Sequence, residues 1–94
     1  MPEKKLSVKW SNEAINDLKS TYYDLRTRNS NETALKIRNE IFNASRSIIF
    51  PEQFQLDENG KNCRRIIIRN FKILYIVDGE TIRITSVINT YHNY

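Results

Sequence analysis

The residues with most chemistry to offer lie in the last third of the chain and just before it. His92 is the only histidine, and its side chain can exchange a proton near neutral pH. Glu52, which follows Pro51, is a second group that can act as a base when its surroundings shift it. Arg64, Arg65 and Lys72 fall close together, and Arg69 and Arg83 extend the basic set. Metal-free cleavage of RNA needs a base for the attacking 2′-hydroxyl, cations where phosphorane charge develops, and a proton donor for the leaving oxygen. His92 or Glu52 suits the first task, and Lys72, Arg64 and Arg65 suit the second. Tyr91 or Tyr94 suits the third, or stacks on an unpaired base. Each residue also has a plainer role. His92 can be a solvated tail residue, Glu52 a loop acid, the cations a solvated sheet face, Cys63 a small packing residue and Trp10 a core residue.

Metal and cofactor chemistry is not expected. One histidine, one cysteine and scattered acids supply no zinc set, and no phosphate-binding loop, dinucleotide fingerprint or nucleophile elbow is present. The charge distribution points instead to a polyanion or an acidic partner. Residues 1–60 hold nine Lys or Arg and nine Asp or Glu, whereas residues 61–94 hold six cations against Asp78 and Glu80. The net charge of +4 therefore belongs to the later segment. A single cysteine allows no intrachain disulfide and fits a reducing cytoplasm. The opening MPEKKLSVKW has no apolar stretch of the signal-peptide kind. No apolar run reaches the roughly 20 residues of a membrane span. Ninety-four residues make one domain, 1–94.

The elements that must position these groups are legible from periodicity. Leu6 to Trp10 alternates as a short strand. Ser11 caps a helix in which Ile15, Leu18, Tyr22 and Leu25 recur at helical spacing to about Arg28. Asn29-Ser30-Asn31 breaks it. A second stripe, Ala34, Ile37, Ile41, Ala44 and Ile48, widened by Leu35, Phe42 and Ile49, predicts a helix from Glu32 to Ile49. Pro51 opens a loop, Phe50 to Asn62, containing the turn-like Asp57-Glu58-Asn59-Gly60. Arg64 to Arg69 reads as a strand, with Asn70 taking a positive φ at a tight bend. Asp78-Gly79 predicts a two-residue hairpin between Phe71–Val77 and Thr81–Ile88. The expected fold is α+β, in the order β-α-α-β-β-β, with a helix hairpin on one face of a mainly antiparallel four-stranded sheet. Phe71, Ile73, Tyr75 and Val77 should face the helices. Lys72, with one of Arg64 and Arg65, should stand on the open face.

That element order, the opening VKWSNEAINDL and the run FPEQF…CRRIIIRNFKILYIVDGETIRITSVINTYHNY resemble the RelE/ParE superfamily of type II toxins. The resemblance covers nearly the whole chain. It implies a small cytoplasmic toxin neutralised by a cognate antitoxin, whose complex sets the oligomeric state, with no cofactor and no membrane association. The RelE and YoeB branches cleave messenger RNA on the ribosome without a metal, and the ParE branch poisons DNA gyrase. The tail Tyr91-His92-Asn93-Tyr94 is similar to the Tyr-His-Tyr tail of YoeB-like toxins, with the final tyrosine displaced by one. Glu52 stands after a proline, twelve residues before Arg64, as the glutamate of those toxins does. Their strand arginine falls at Lys72, which keeps the charge and loses the planar fork, and Thr90 replaces the arginine that often begins the tail. On this resemblance the expected activity is ribosome-dependent cleavage of messenger RNA through His92, Glu52 and Lys72. Arg64, Arg65, Arg69, Arg83, Tyr91 and Tyr94 would hold the RNA. Gyrase inhibition without nuclease activity, or antitoxin binding alone, are the alternatives.

Overall fold

The structure is a computed structural model and describes residues 6–59 and 62–92. The elements are β1 (Ser7–Trp10), α1 (Asn12–Arg28), α2 (Asn31–Ser45), β2 (Arg64–Ile68), β3 (Phe71–Asp78), β4 (Thr81–Asn89) and a 3₁₀ turn (Thr90–His92). Local signals set both helix starts. The Ser11 hydroxyl accepts the Ala14 N–H at 3.0 Å and the Ser30 hydroxyl accepts the Thr33 N–H at 3.1 Å. Glu13 and Glu32 complement the positive helix ends.

The second helix stops at Ser45, short of the expected Ile49. The Ser45 and Ser47 hydroxyls donate to the carbonyls of Phe42 and Ala44 at 2.7 and 2.6 Å, so side chains compete with the helical ladder where it ends. Gln53 then accepts the Ile49 N–H at 2.6 Å and donates to the Ser47 carbonyl at 3.3 Å. Ile48 still reaches the core, but Ile49, expected on the helix face, is 76% exposed.

The sheet order is β1-β4-β3-β2, with β1 parallel to β4 and the other pairings antiparallel. The helix α1 lies against β4, and α2 against β2 and β3. Ala14, Ile37, Ile41 and Ile48 meet Ile66, Phe71, Ile73, Tyr75, Ile82, Ile84 and Val87 across that layer. Val77, expected among them, sits at the hairpin end and is 40% exposed.

The pairing of β3 with β4 slips by one residue at Leu74/Tyr75, leaving Thr85 as the extra residue of a bulge. Helix α1 takes up the loosened groups. The Asp17 carboxylate accepts the Val87 N–H at 3.0 Å, and the Ser11 hydroxyl reaches the Thr85 carbonyl at 3.4 Å.

Both tight turns differ from expectation in register. Asp78 pairs with Thr81, so the hairpin loop is Gly79-Glu80. Positive φ occurs at Gly79 (62°) and not at Glu80, as a type II′ turn requires. Between β2 and β3 the positive φ falls on Arg69 (54°) rather than Asn70. Tertiary ties fix that bend. Arg69 donates to both carboxylate oxygens of Glu40 on α2, at 2.6 and 3.0 Å. Asn70 bonds the Asn89 side chain at 3.0 Å.

Candidate functional site: a strapped basic sheet face

The segment between α2 and β2 wraps around the edge strand β2. On the helix side, the Pro51 carbonyl accepts the Tyr75 hydroxyl at 3.0 Å and the Phe54 carbonyl accepts Arg64 Nη1 at 2.7 Å. The Phe54 ring packs edge-on against Tyr75, with centroids 6.4 Å apart. At the sheet edge, Leu56 bridges Arg64, and the Arg65 N–H donates to the Gln55 carbonyl at 2.9 Å. On the open side, Asp57 turns its carboxylate toward Lys72 and Arg65. The strap thus passes from one face of the sheet to the other.

Two adjacent arginines hold it from opposite sides. Successive strand residues point to opposite faces. Arg64, paired with buried Tyr75, looks toward the helices, and Arg65, paired with Leu74, joins Lys72 on the open face. Lys72 Nζ lies 2.8 Å from Asp57 Oδ1, and Arg65 Nη1 lies 3.8 Å from the same oxygen. The Lys72 contact is a short ion pair. Arg65 also donates to the Leu56 carbonyl at 3.1 Å and to Gln55 Oε1 at 3.2 Å. Asp57 is only 7% exposed. Lys72 holds its carboxyl below the usual carboxylate range against the opposing effect of burial, with the Asn59 N–H and Arg65 adding to the lowering.

The remaining cations of the expected RNA-binding set are paired as well. Arg69 is engaged by Glu40, whose carboxyl is held low by that hydrogen bond. Arg83 lies 3.3 Å from Asp78 on the open face. Lys72 stands on the open face as expected, yet its side chain is 15% exposed and covered by the strap.

Glu52 is exposed on the helix-side run of the strap, beside the Tyr75 hydroxyl, whose pKa burial raises. The strand residue Lys72 faces away from it, so the sheet separates these two expected catalytic groups. His92 lies in the 3₁₀ turn after β4, at the Phe71 end of the hairpin. Its side chain, and Tyr94, lie outside the described part of the structure. The start of the tail is clamped: the Asn70 carbonyl accepts the Thr90 N–H at 2.8 Å and its hydroxyl at 2.9 Å. Asn89 Oδ1 accepts the Tyr91 N–H at 3.0 Å. Tyr91 itself is exposed.

Sequence reasoning missed Asp57 and Glu40 as counter-ions and Asn70 with Asn89 as the tail clamp. Asp57 did carry a turn signal, and its Oδ2 accepts the Asn59 N–H at 3.2 Å as a turn aspartate does. Nothing local tells that the other oxygen meets a lysine on β3. A second missed feature is an open groove of about 730 Å³ on the helix hairpin, lined by Trp10, Ile15, Leu18, Tyr22, Tyr23 and Phe42 with Lys19 and Arg38 at its rim. Phe42 was expected to widen the core face, but it stacks on Trp10 at 5.8 Å and stays partly exposed in this groove.

A helix hairpin on one face of a β1-β4-β3-β2 sheet, with a strap around its edge, places the fold with RelE/ParE-like toxins. A chain of the chromosomal ParDE TA system from P. aeruginosa superposes with a TM-score of 0.80 at 21% identity, covering 89% of this chain and 95% of that chain. A chain of the RelB-RelE antitoxin-toxin complex from Methanococcus jannaschii superposes with a TM-score of 0.51 at 23% identity, covering 87% and 89%. At these identities the likeness is one of fold. No curated protein matches the chain significantly. The family model described as "ParE toxin of type II toxin-antitoxin system, parDE" matches residues 8–94. The chain belongs to the ParE toxin family of type II toxin-antitoxin systems.

Proposed function

We propose that this toxin acts by binding DNA gyrase, the target that the ParE resemblance implies, and that it does not cut messenger RNA. The observation that carries this reading is the separation of Glu52 from Lys72 and Arg65. A general base must come within roughly 2.6–3.2 Å of the proton it takes, directly or through one water. Glu52 lies on the helix side of the sheet, and Lys72 and Arg65 lie on the other side, where both face buried Asp57. Arg64 is engaged by a backbone carbonyl. The ParE family match supports the same reading.

The groove on the helix hairpin supports a binding role. Tyr23 and Phe42 are large exposed aromatics in it, and aromatic side chains dominate the energetics of protein interfaces. We assign the groove to target contact and its masking to the cognate antitoxin in the cytoplasm, without cofactor or membrane. A supercoiling assay with purified gyrase tests this. The chain inhibits supercoiling, and Tyr23→Glu weakens inhibition about tenfold or more without changing the melting temperature. No inhibition by the wild type rejects the gyrase reading. Full inhibition by Tyr23→Glu rejects the groove.

A further inference from the structure

The most unusual charged group among the described residues is Asp57. Its Oδ1 is buried and faces two cations, at 2.8 Å (Lys72) and 3.8 Å (Arg65). Those cations are themselves only 15% and 19% exposed. One carboxylate against two cations leaves the cluster with an excess of positive charge. The anion comes from a segment held at the sheet edge by the Asp57 N–H to the Cys63 carbonyl at 2.8 Å and the Arg65 N–H to the Gln55 carbonyl at 2.9 Å, and by the Arg65 guanidinium, which donates to the Leu56 carbonyl at 3.1 Å and to Gln55 Oε1 at 3.2 Å. Further along the same face, Arg83 pairs across from Ile76, and exposed Lys9 lies beside Arg83. Two acids stand against cations on that face, Asp57 and Asp78.

We propose that Asp57 is an internal latch over a phosphate-binding site formed by Lys72 and Arg65, so that a phosphate displaces the Asp57 carboxylate and lifts the strap from the open sheet face. The site binds and does not cleave, because Glu52 stays on the other side of the sheet. It stands apart from the helix-hairpin groove, so its failure leaves the gyrase reading untouched. The ligand is a phosphate group, either free or in a single-stranded nucleic-acid backbone. Arginine and lysine recognise both in the same way, and a strand would extend along the face toward Arg83 and Lys9.

The test uses a fluorescein-labelled single-stranded RNA of about ten nucleotides, a length within the range one small domain contacts, followed by anisotropy at fixed low salt. Asp57→Asn keeps the shape of the side chain and removes its charge. It should bind about tenfold more tightly than wild type, an increment of about 1.4 kcal/mol. Asp78→Asn removes one acid from the same face without opening the site, so its gain should be much smaller. Lys72→Met added to Asp57→Asn should erase the gain. Equal gains from Asp57→Asn and Asp78→Asn, or a gain that survives Lys72→Met, overturn the latch and leave only general charge attraction. Inorganic phosphate competing with the RNA on Asp57→Asn assigns the site to phosphate itself. No competition at concentrations that keep ionic strength matched assigns it to the strand. Wild-type protein decides the matter if Asp57→Asn does not fold. Saturating RNA should speed amide exchange at Asp57 and Asn59, whose N–H groups the strap holds, and unchanged or slowed exchange there refutes displacement.

Discussion

The two faces of the sheet are held by different forces. The helix side carries Ile66, Phe71, Ile73, Tyr75, Ile82 and Ile84 under two helices, and removal of apolar surface from water stabilises it. The open side carries Arg65, Lys72 and Arg83 against Asp57 and Asp78, and charge matching holds the strap there. Arg64 and Arg65, neighbours in sequence, fall on different sides of this divide. Like residues in one motif therefore need not share a task. A pair that resembles a phosphate-binding motif serves first to fasten a loop around a strand.

The difference can be broken by substitution, and the helix side should respond most. Ile73→Ala, at a fully buried position on β3, should lower stability by about 2–5 kcal/mol in urea unfolding. Ile67→Ala, on the open side and 63% exposed, should stay within about 0.5 kcal/mol. Equal losses would mean that the open side is covered by more than the strap.

Removing the latch should come next. Asp57→Ala leaves Lys72 and Arg65 without their anion and should cost about 1–3 kcal/mol. Adding Lys72→Met to it should recover part of that loss, because taking away both partners removes the unpaired charge. A purely additive double variant would show that the pair does not interact.

The ion pairs should also carry the acid sensitivity. Lys72 lowers the folded pKa of Asp57, and Arg69 lowers that of Glu40. A lowered folded pKa gives stability that is fully present above the unfolded carboxylate value, near 4, and is lost as pH falls through the folded value. The melting temperature should therefore hold between about pH 7 and 5 and drop below about pH 4. Asp57→Asn should flatten that drop, and an unchanged profile would place the acid sensitivity elsewhere. The smallest effect belongs to Arg69→Ala. It removes a half-exposed pair and should lower stability by no more than about 1 kcal/mol in urea unfolding.

Sequence made the helix side legible because its signals are local and repeated. The Ser11 and Ser30 caps, the isoleucine stripe of α2 and the alternation from Phe71 to Tyr75 gave the order of elements and the buried face. It misplaced boundaries where tertiary ties decide them. Serine back-bonds ended α2 at Ser45, and the Glu40 tie moved the positive φ from Asn70 to Arg69. The open side was much less legible. Its cations were plain in the sequence, but the partner of Lys72 lies fifteen residues away at Asp57, just as the partner of Arg69 at the bend lies twenty-nine away at Glu40 on α2. No periodicity announces such pairs. Glu52 and Lys72 were likewise visible as residue types, whereas the strap that sends them to opposite faces is a property of the path between them.

The central claim is that this toxin binds rather than cuts. Primer extension on transcripts from a cell-free translation reaction containing the purified chain tests it most directly, run beside Glu52→Gln and His92→Ala. Full-length transcripts are expected with all three proteins. Cuts at codon positions with the wild type, lost in either variant, would contradict it.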